Sequence, residues 1–309
     1  MLLRYASQHV QHMQKALEQM NVKLAEVVND VTGMTGMAII QDILRGQREP
    51  RLLAKLRSTR CRRTEAEIAR ALQGNWRAEH LFALQQAVEL YDFYRGQLRA
   101  CDVHLQAHLG TFADRSQGQS RPPRQPGRRL RKRSNDAAFD VGGALYRMAG
   151  VDLTVLEGID ETTALVILSE IGRDMSRFPS VKHFTSWLGL CPQHQGSAGK
   201  IRSRHVRRGA NRAGRALRLA VQSCHHAKHA LGAFYRRIQA RSGAGKAIVA
   251  TARKLAERIY RLLKYGEVYV RQEMRAYEAA YRERLVKGLA RRAAELGFQL
   301  QPTAAGMQT

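Results

Sequence analysis

Acidic residues, cysteines and long apolar segments are all scarce in this sequence, and each shortage excludes a class of protein. No apolar run approaches the ~20 residues that a membrane-spanning helix needs, so the sequence predicts no such helix. Met1 leads into a mixed, charged segment that does not resemble a signal peptide. Four cysteines without CxxC spacing argue against a zinc ribbon or a disulfide framework and suit a reducing cytoplasm. They are Cys61, Cys101, Cys191 and Cys224.

The charge of the chain is strongly one-sided. Its 309 residues include 52 Lys and Arg but 26 Asp and Glu, which gives a net charge of +26. So large a charge repels itself in a compact protein and is typical of chains that bind a polyanion. Nucleic acid is the commonest polyanion, and an anionic membrane surface is the alternative. The hydrophobic fraction of 44% is ordinary for a globular protein, and the length allows two domains.

Two long helices are predicted in the first third of the chain. Apolar residues near the start alternate spacings of three and four, which favours a coiled coil or a helical hairpin. A second seam covers residues 78–109, and Thr64 and Glu67 predict a capping box for a short helix between the two. No capping residue precedes the first seam, so we expect the chain to start inside a longer helical region, a frayed helix end being the alternative. The first seam is Leu3, Ala6, Val10, Met13, Leu17, Met20, Leu24, Val27 and Val31.

The domain organisation follows from composition. Residues 1–114 form the predicted coiled-coil helical region with a small helical insert. Residues 115–138 are rich in Pro and Arg and predict a basic linker, either a solvated spacer or a tether that follows phosphates. Residues 139–298 predict a helical domain, and residues 299–309 a loose tail. The fold class is therefore all-α: a long coiled-coil helical hairpin followed by a basic helical domain with helix-hairpin-helix-like elements.

A glycine turn at Gly158 is the first candidate DNA contact. The run Leu156–Asp160 resembles a helix-hairpin-helix turn, which presents backbone N–H groups to a phosphate. Asp160 stands where a second glycine is usual, and its carboxylate is suited to capping the next helix. Structural packing of this turn and DNA contact both remain open. The turn at residues 31–36 is equally ambiguous.

The stretch from residue 175 to residue 256 contains 17 Lys and Arg and no Asp or Glu. A solvated surface normally mixes both signs, so this stretch predicts contact with a polyanion. Ser197 lies among small residues, followed by a run of basic side chains. A serine can cleave a phosphodiester without a metal where guanidinium groups neutralise the phosphorane. The alternative is a small-residue turn beside a DNA-binding helix. The basic residues are Lys200, Arg202, Arg204, Arg207, Arg208, Arg212, Arg215 and Arg218.

Two weaker patterns favour packing over chemistry. His225 and His229 are four residues apart with Cys224 adjacent, a spacing that can bind zinc on one helical face, but no fourth ligand is evident. We expect a polar helix face there and assign no metal ligand. Tyr260, Tyr265 and Tyr269 suggest a tyrosine recombinase less than they suggest core or interface packing.

Several of these segments resemble the insertion-sequence 110 family of transposases. The resemblance rests on residues 153–172, 178–192, 196–200 and 206–218, and in the first half on residues 7–21, 31–40 and 79–94. It implies that Ser197 is the family's nucleophilic serine, which in a complete member attacks a DNA phosphodiester. Gly209, Asn211 and Arg212 match the family's glycine and arginine framework. The resemblance further implies DNA as a partner, a structured guide RNA as a possible second partner, and a homo-oligomer formed through the coiled coil.

One departure from the family pattern limits the expected activity. Family members resemble one another in carrying an N-terminal nuclease-like domain with four acidic residues ahead of the coiled coil. We expect this chain to lack that domain, and Mg²⁺ is expected only with it, so no cofactor is assigned here. The expected function is a bacterial, cytoplasmic DNA-binding transposase that is incomplete alone and has no membrane partner. A non-enzymatic nucleic-acid-binding remnant that modulates an intact transposase is the alternative, and a basic scaffold protein is a third.

Overall fold

The computed structural model describes residues 1–122, 135–192 and 211–301, and the backbone of residues 195–197 and 200–203. These residues fall into two compact units, Met1–Ala107 (unit 1) and His108–Thr309 (unit 2). Helices dominate both, so the predicted all-α class is confirmed. The described part of the chain contains no helix that is long and apolar enough to cross a membrane.

The helices of unit 1 surround one apolar core. They are α1 (Leu2–Gln19), α2 (Leu24–Val27), α3 (Met34–Leu44), α4 (Pro50–Ala54), α5 (Glu65–Ala71) and α6 (Ala78–Gly110), whose end lies in unit 2. Met13 and Leu17 of α1, Ile39 of α3 and Leu84 of α6 are fully or almost fully buried in this core. The second predicted helix is therefore confirmed at residues 78–110. Farther along α6, Val103 is exposed, and pairing of α6 with another helix as a coiled coil stays a prediction.

The prediction of one continuous helix from Leu3 to Val31 is wrong, because α1 ends at Gln19. Asn21 adopts a left-handed conformation with φ 56°. Its N–H donates to the Glu18 carbonyl at 2.8 Å, and the N–H of Val22 donates to the Leu17 carbonyl at 2.8 Å. This pair of hydrogen bonds is a Schellman motif, and asparagine tolerates the left-handed conformation that the motif requires. The apolar spacing continues through the break because both sides of the turn pack on the same core.

The capping box predicted for α5 is present. The Thr64 hydroxyl accepts from the Glu67 N–H at 3.3 Å, and the Glu67 carboxylate accepts from the Thr64 N–H at 2.8 Å. These bonds satisfy two of the N–H groups that a helix start leaves without intrahelical partners. The local pattern Thr-x-x-Glu was therefore sufficient to locate the helix start.

Unit 2 packs its helices around α12. Its α-helices are α7 (Val141–Ala149), α8 (Glu161–Ile171), α9 (Val181–Trp187), α10 (Arg212–Ala220), α11 (Ala230–Ser242), α12 (Ala244–Tyr265) and α13 (Glu267–Glu295). Short 3-10 helices cover Leu153–Val155, Met175–Arg177 and Val221–His225. Helix α12 contacts α9, α10, α11 and α13, and buries Leu255 and Ile259 completely. In the described part of the chain, two short antiparallel strands interrupt the helices, β1 (Gln195–Ser197) and β2 (Lys200–Ser203).

Arg121, a described residue of the predicted linker, contacts other residues of unit 2. The Arg121 guanidinium forms ion pairs with Asp152 and Glu161, both at 2.7 Å, and donates to the Thr154 hydroxyl at 2.9 Å. Gly142 leaves space for this arginine, since a Cβ at that position would lie 1.7 Å from an Arg121 nitrogen. Residues 123–134 lie outside the described residues, and the predicted linker boundaries stay a prediction.

Candidate nucleophile and nucleic-acid interface

Ser197 lies in the segment that connects α9 to α10, and the end of α9 lies next to the start of α10. Asn211 caps α10, because its Oδ1 accepts from the Gly214 N–H at 2.7 Å. The other side-chain atom of the same amide, Nδ2, donates to the Trp187 carbonyl at the end of α9, at 3.4 Å. One asparagine therefore starts α10 and ties it to α9 across 24 residues of chain.

Two further contacts close the base of this segment. Gly214 lies so near α9 that a Cβ there would be 2.2 Å from the Leu188 carbonyl oxygen. Arg218, one turn farther along α10, donates from Nη2 to the Gly189 carbonyl at 2.6 Å. Arg218 is the last member of the basic run that follows Ser197 in the sequence, and its guanidinium supports the loop that follows α9. The residues that flank the segment 190–210 are therefore held close together.

Ser197 is the last residue of β1 and pairs with Lys200, the first residue of β2. Two residues separate them, and the register also pairs Gly196 with Ile201. The backbone of Arg202 lies in β2. Arg204, Arg207, Arg208 and Gly209 lie outside the described residues. The strands were not predicted, because three or four residues are too few to show a period of two.

Two of the predicted phosphate-binding arginines are described with their side chains, and both are exposed. Arg212 opens α10 with its side chain 67% exposed, and one nitrogen lies 3.4 Å from the Glu170 carboxylate of α8. Arg215 is exposed one turn later. The two are three residues apart on one helix, and side chains at that spacing share a face. The start of α10 therefore presents two guanidinium groups to solvent, with one carboxylate beside them.

Gly158 occupies a turn that packs against the protein. Its φ is +83°, and a Cβ there would lie 3.0 Å from the Ala220 carbonyl oxygen at the end of α10. Both facts favour glycine without any ligand. A short 3-10 helix precedes the turn in place of an α-helix, and Asp160 caps α8 by accepting from the Thr163 N–H at 2.8 Å. The predicted cap is confirmed, and contact of this turn with DNA stays a prediction.

The idea that Cys224, His225 and His229 share a helical face is wrong. Cys224 and His225 end a 3-10 helix, whereas His229 is the N-cap of α11 and accepts from the Gly232 N–H through Nδ1 at 3.2 Å. Burial raises the pKa of the Cys224 thiol to about 11. Within the described residues, no group of three or more His, Cys, Asp or Glu side chains could hold a metal ion.

Packing explains the first of the three tyrosines. Tyr260 is almost fully buried in α12, and its hydroxyl donates to the Phe178 carbonyl at 3.1 Å. Its ring also lies 5.8 Å from that of Phe184. Tyr265 and Tyr269 are about half exposed and contact each other at 5.3 Å between ring centroids. The preference for packing over tyrosine chemistry is confirmed at Tyr260.

Comparison with known proteins shows that the segment containing Ser197 lies within a stretch that matches a transposase family. The sequence model of the family described as "Transposase IS116/IS110/IS902 family" matches residues 152–236. An insertion element IS110 uncharacterized 43.6 kDa protein of Streptomyces coelicolor is 33% identical over 119 residues, which cover 38% of this chain and 29% of that protein. No solved structure matches. Residues 152–236 of the chain are therefore similar to the IS116/IS110/IS902 family of transposases.

Proposed function

We propose that this chain binds DNA through unit 2 and cleaves it with Ser197 as the nucleophile. The observation that carries this proposal is that the two ends of the segment 190–210 are held close together. A nucleophile has to be held within a fraction of an ångström of its productive position, and catalytic residues are commonly carried on loops positioned by a rigid scaffold. Asn211, Gly214 and Arg218 anchor both ends of the segment that contains the serine.

The proposed reaction is a transesterification. A bond forms between Ser197 Oγ and phosphorus, and the bond between that phosphorus and one deoxyribose oxygen breaks. The proton that the serine loses balances the proton that the leaving hydroxyl gains. Attack by a DNA hydroxyl on the phosphoserine reverses these steps and joins new strands. Phosphoester energy is conserved throughout, so no external energy source is needed.

Arginines would supply the charge stabilisation that this reaction requires. Negative charge accumulates on the phosphorane oxygens, and the guanidinium fork matches two such oxygens at once. We propose Lys200, Arg202, Arg204, Arg207, Arg208, Arg212 and Arg215 as the phosphate-binding set. The exposure of Arg212 and Arg215 supports this for the part of the set whose side chains are described.

The remaining parts of the proposal concern partners. We propose that the chain acts on DNA in the bacterial cytoplasm, self-associates through α1 and α6, and accepts a structured guide RNA as the family resemblance implies. We further propose that complete strand exchange requires the family's acidic nuclease-like domain and its Mg²⁺ in addition to the residues of unit 2. Recombination of a plasmid substrate by the purified chain alone would contradict this last part.

A covalent adduct tests the nucleophile. Purified chain is incubated with a nicked duplex that traps the phosphoserine, and adducts are resolved on a denaturing gel. The adduct should disappear in Ser197→Ala and persist in Ser203→Ala, a matched change in the same hairpin. An undiminished adduct in Ser197→Ala assigns the chemistry to another residue. DNA binding without any wild-type adduct favours the binding-only alternative, in which the chain modulates an intact transposase.

A further inference from the structure

The positive charge of unit 1 is concentrated in one segment. Residues 45–63, which we name the basic insert, contain eight of the fifteen Lys and Arg residues of residues 1–107 but one of their eleven Asp and Glu residues. The rest of unit 1 is therefore net acidic. A one-signed patch on an otherwise acidic helical unit is costly by self-repulsion and is typical of a polyanion-binding surface.

Four of the eight basic side chains have structural partners. Arg48 stacks over Trp76 at 4.9 Å and donates to the Gln47 carbonyl at 2.9 Å. Arg57 donates to the Cys61 carbonyl at 3.5 Å. The other two form ion pairs at the edges of the insert, Arg45 with Asp42 at 3.6 Å and Arg63 with Glu67 at 3.1 Å.

The other four are Arg51, Lys55, Arg60 and Arg62, and all are exposed. Within the described residues, none of the four has a carboxylate within ion-pair distance. The one acid of the insert, Glu49, is already engaged as the N-cap of α4, where it accepts from the Arg51 backbone N–H at 3.4 Å. Nothing in the insert therefore neutralises these four charges.

The fold holds the four side chains on an anchored platform. Arg51 and Lys55 are four residues apart at α4, so they project from the same side about 6 Å apart. The loop that carries Arg60 and Arg62 is pinned by two bonds: the Ser58 N–H donates to the Thr35 hydroxyl and the Cys61 N–H to the Ser58 carbonyl, both at 2.9 Å. Leu53 and Ala54 of α4 are fully buried beneath this surface. The charges are thus arranged before any ligand arrives, which lowers the entropy lost on binding.

We propose that the basic insert is a second nucleic-acid-binding surface that grips the sugar–phosphate backbone through Arg51, Lys55, Arg60 and Arg62. Contacts of this kind position a duplex without reading its sequence. The surface lies in unit 1 and is separate from the phosphate-binding set of unit 2. The duplex can be DNA or RNA, since both present the same phosphodiester chemistry.

Neutralisation of the four side chains tests the proposal in the full chain. The variant Arg51→Gln/Lys55→Gln/Arg60→Gln/Arg62→Gln is titrated with a labelled random-sequence DNA duplex of about 30 base pairs, and with an RNA duplex of the same length, over about 50 to 200 mM salt. Each lost phosphate contact should reduce the slope of log K against log salt by about 0.9, so a reduction of about 3–4 is expected. The dissociation constant should rise by about 10–100-fold at moderate salt.

A matched control distinguishes the effect of the basic insert from the effect of the total charge of the chain. Lys15→Gln/Lys23→Gln/Arg77→Gln/Arg99→Gln removes the same charge from exposed positions of unit 1 outside the insert. The control should keep nearly the wild-type slope, and a version with lysine at the three insert arginines should retain most binding. A loss confined to one duplex type supports the proposal and identifies the ligand. Equal losses in the insert variant and the control overturn it, whereas failure of the wild-type chain to bind any nucleic acid contradicts the proposed function as well.

Discussion

Replacement of Gly214 by alanine should destabilise unit 2 at the base of the proposed site. Gly214 is the third residue of α10, and its N–H is held by the Asn211 side chain at 2.7 Å. A Cβ added there would lie 2.2 Å from the Leu188 carbonyl oxygen and 3.2 Å from Asn211 Oδ1. A carbon and an oxygen pack no closer than about 3.2 Å, so α9 and α10 would have to separate by about 1 Å.

The net cost follows from two opposing terms. Overpacking of a close contact typically costs about 1–3 kcal/mol. Alanine also lowers the conformational entropy of the unfolded chain, which stabilises the folded state by about 0.4–1 kcal/mol. The balance is a destabilisation of about 1–2 kcal/mol, which corresponds to a fall of about 2–8 °C in the Tm of a unit of this size.

Thermal unfolding followed by circular dichroism measures this effect, with Gly288→Ala as the control. Gly288 lies within α13, and a Cβ there would meet nothing within 4 Å. Removal of a mid-helix glycine at an open position should raise the stability by up to about 1 kcal/mol. The two substitutions should therefore shift Tm in opposite directions. A Gly214→Ala variant as stable as the wild type would refute the close approach of α9 and α10.

Three other changes probe the surroundings of the same domain. Asn211→Ala should cost about 0.5–2 kcal/mol through loss of the helix cap. Asn211→Asp should restore the cap in urea unfolding because a carboxylate accepts the same bond, but it should stay less stable than the wild type because it cannot donate to the Trp187 carbonyl. The Arg258 side chain is 8% exposed and pairs with Glu157 at 2.6 Å. Glu157→Gln should therefore cost about 3 kcal/mol, because it leaves a buried guanidinium without its counter-charge. Combining Glu157→Gln with Arg258→Met should recover much of this loss of stability. Burial, above all, lowers the pKa of His229 below its ordinary 6.5, with Arg258 acting in the same direction and Glu157 and Glu278 opposing. As the pH falls, the unfolded chain therefore binds a proton at His229 before the folded chain does, and the stability decreases below about pH 6.5. Asparagine can cap α11 without titrating, so His229→Asn should make Tm less dependent on pH between about pH 8 and pH 5.

Local signals in the sequence identified several elements correctly. The Thr64 capping box and the Asp160 cap depend on residues three apart, and the predicted second helix at 78–109 depends on a repeat sustained over many turns. Such patterns are readable because the interacting groups are neighbours in the chain. The break after α1 was missed because the apolar spacing is the same on both sides of Asn21.

The base of the site could not be predicted in the same way. The bond from Asn211 to Trp187 spans 24 residues, and the space requirement at Gly214 depends on a carbonyl of another helix. Nothing in the local sequence distinguishes Arg218, which supports the loop after α9, from Arg215, which is exposed. Ser197 was proposed from its small neighbours and from the family resemblance, and the structure adds the hairpin backbone around it.

Mass spectrometry of the trapped protein–DNA adduct tests the central claim most directly. After digestion of the DNA with nuclease and of the protein with trypsin, the peptide of residues 183–200 contains Ser197, Thr185 and Ser186. If Ser197 is the nucleophile, this peptide gains the mass of a nucleotide, and fragment ions place that nucleotide on Ser197. A nucleotide on Thr185, Ser186 or any other peptide would contradict the assignment of Ser197 as the nucleophile.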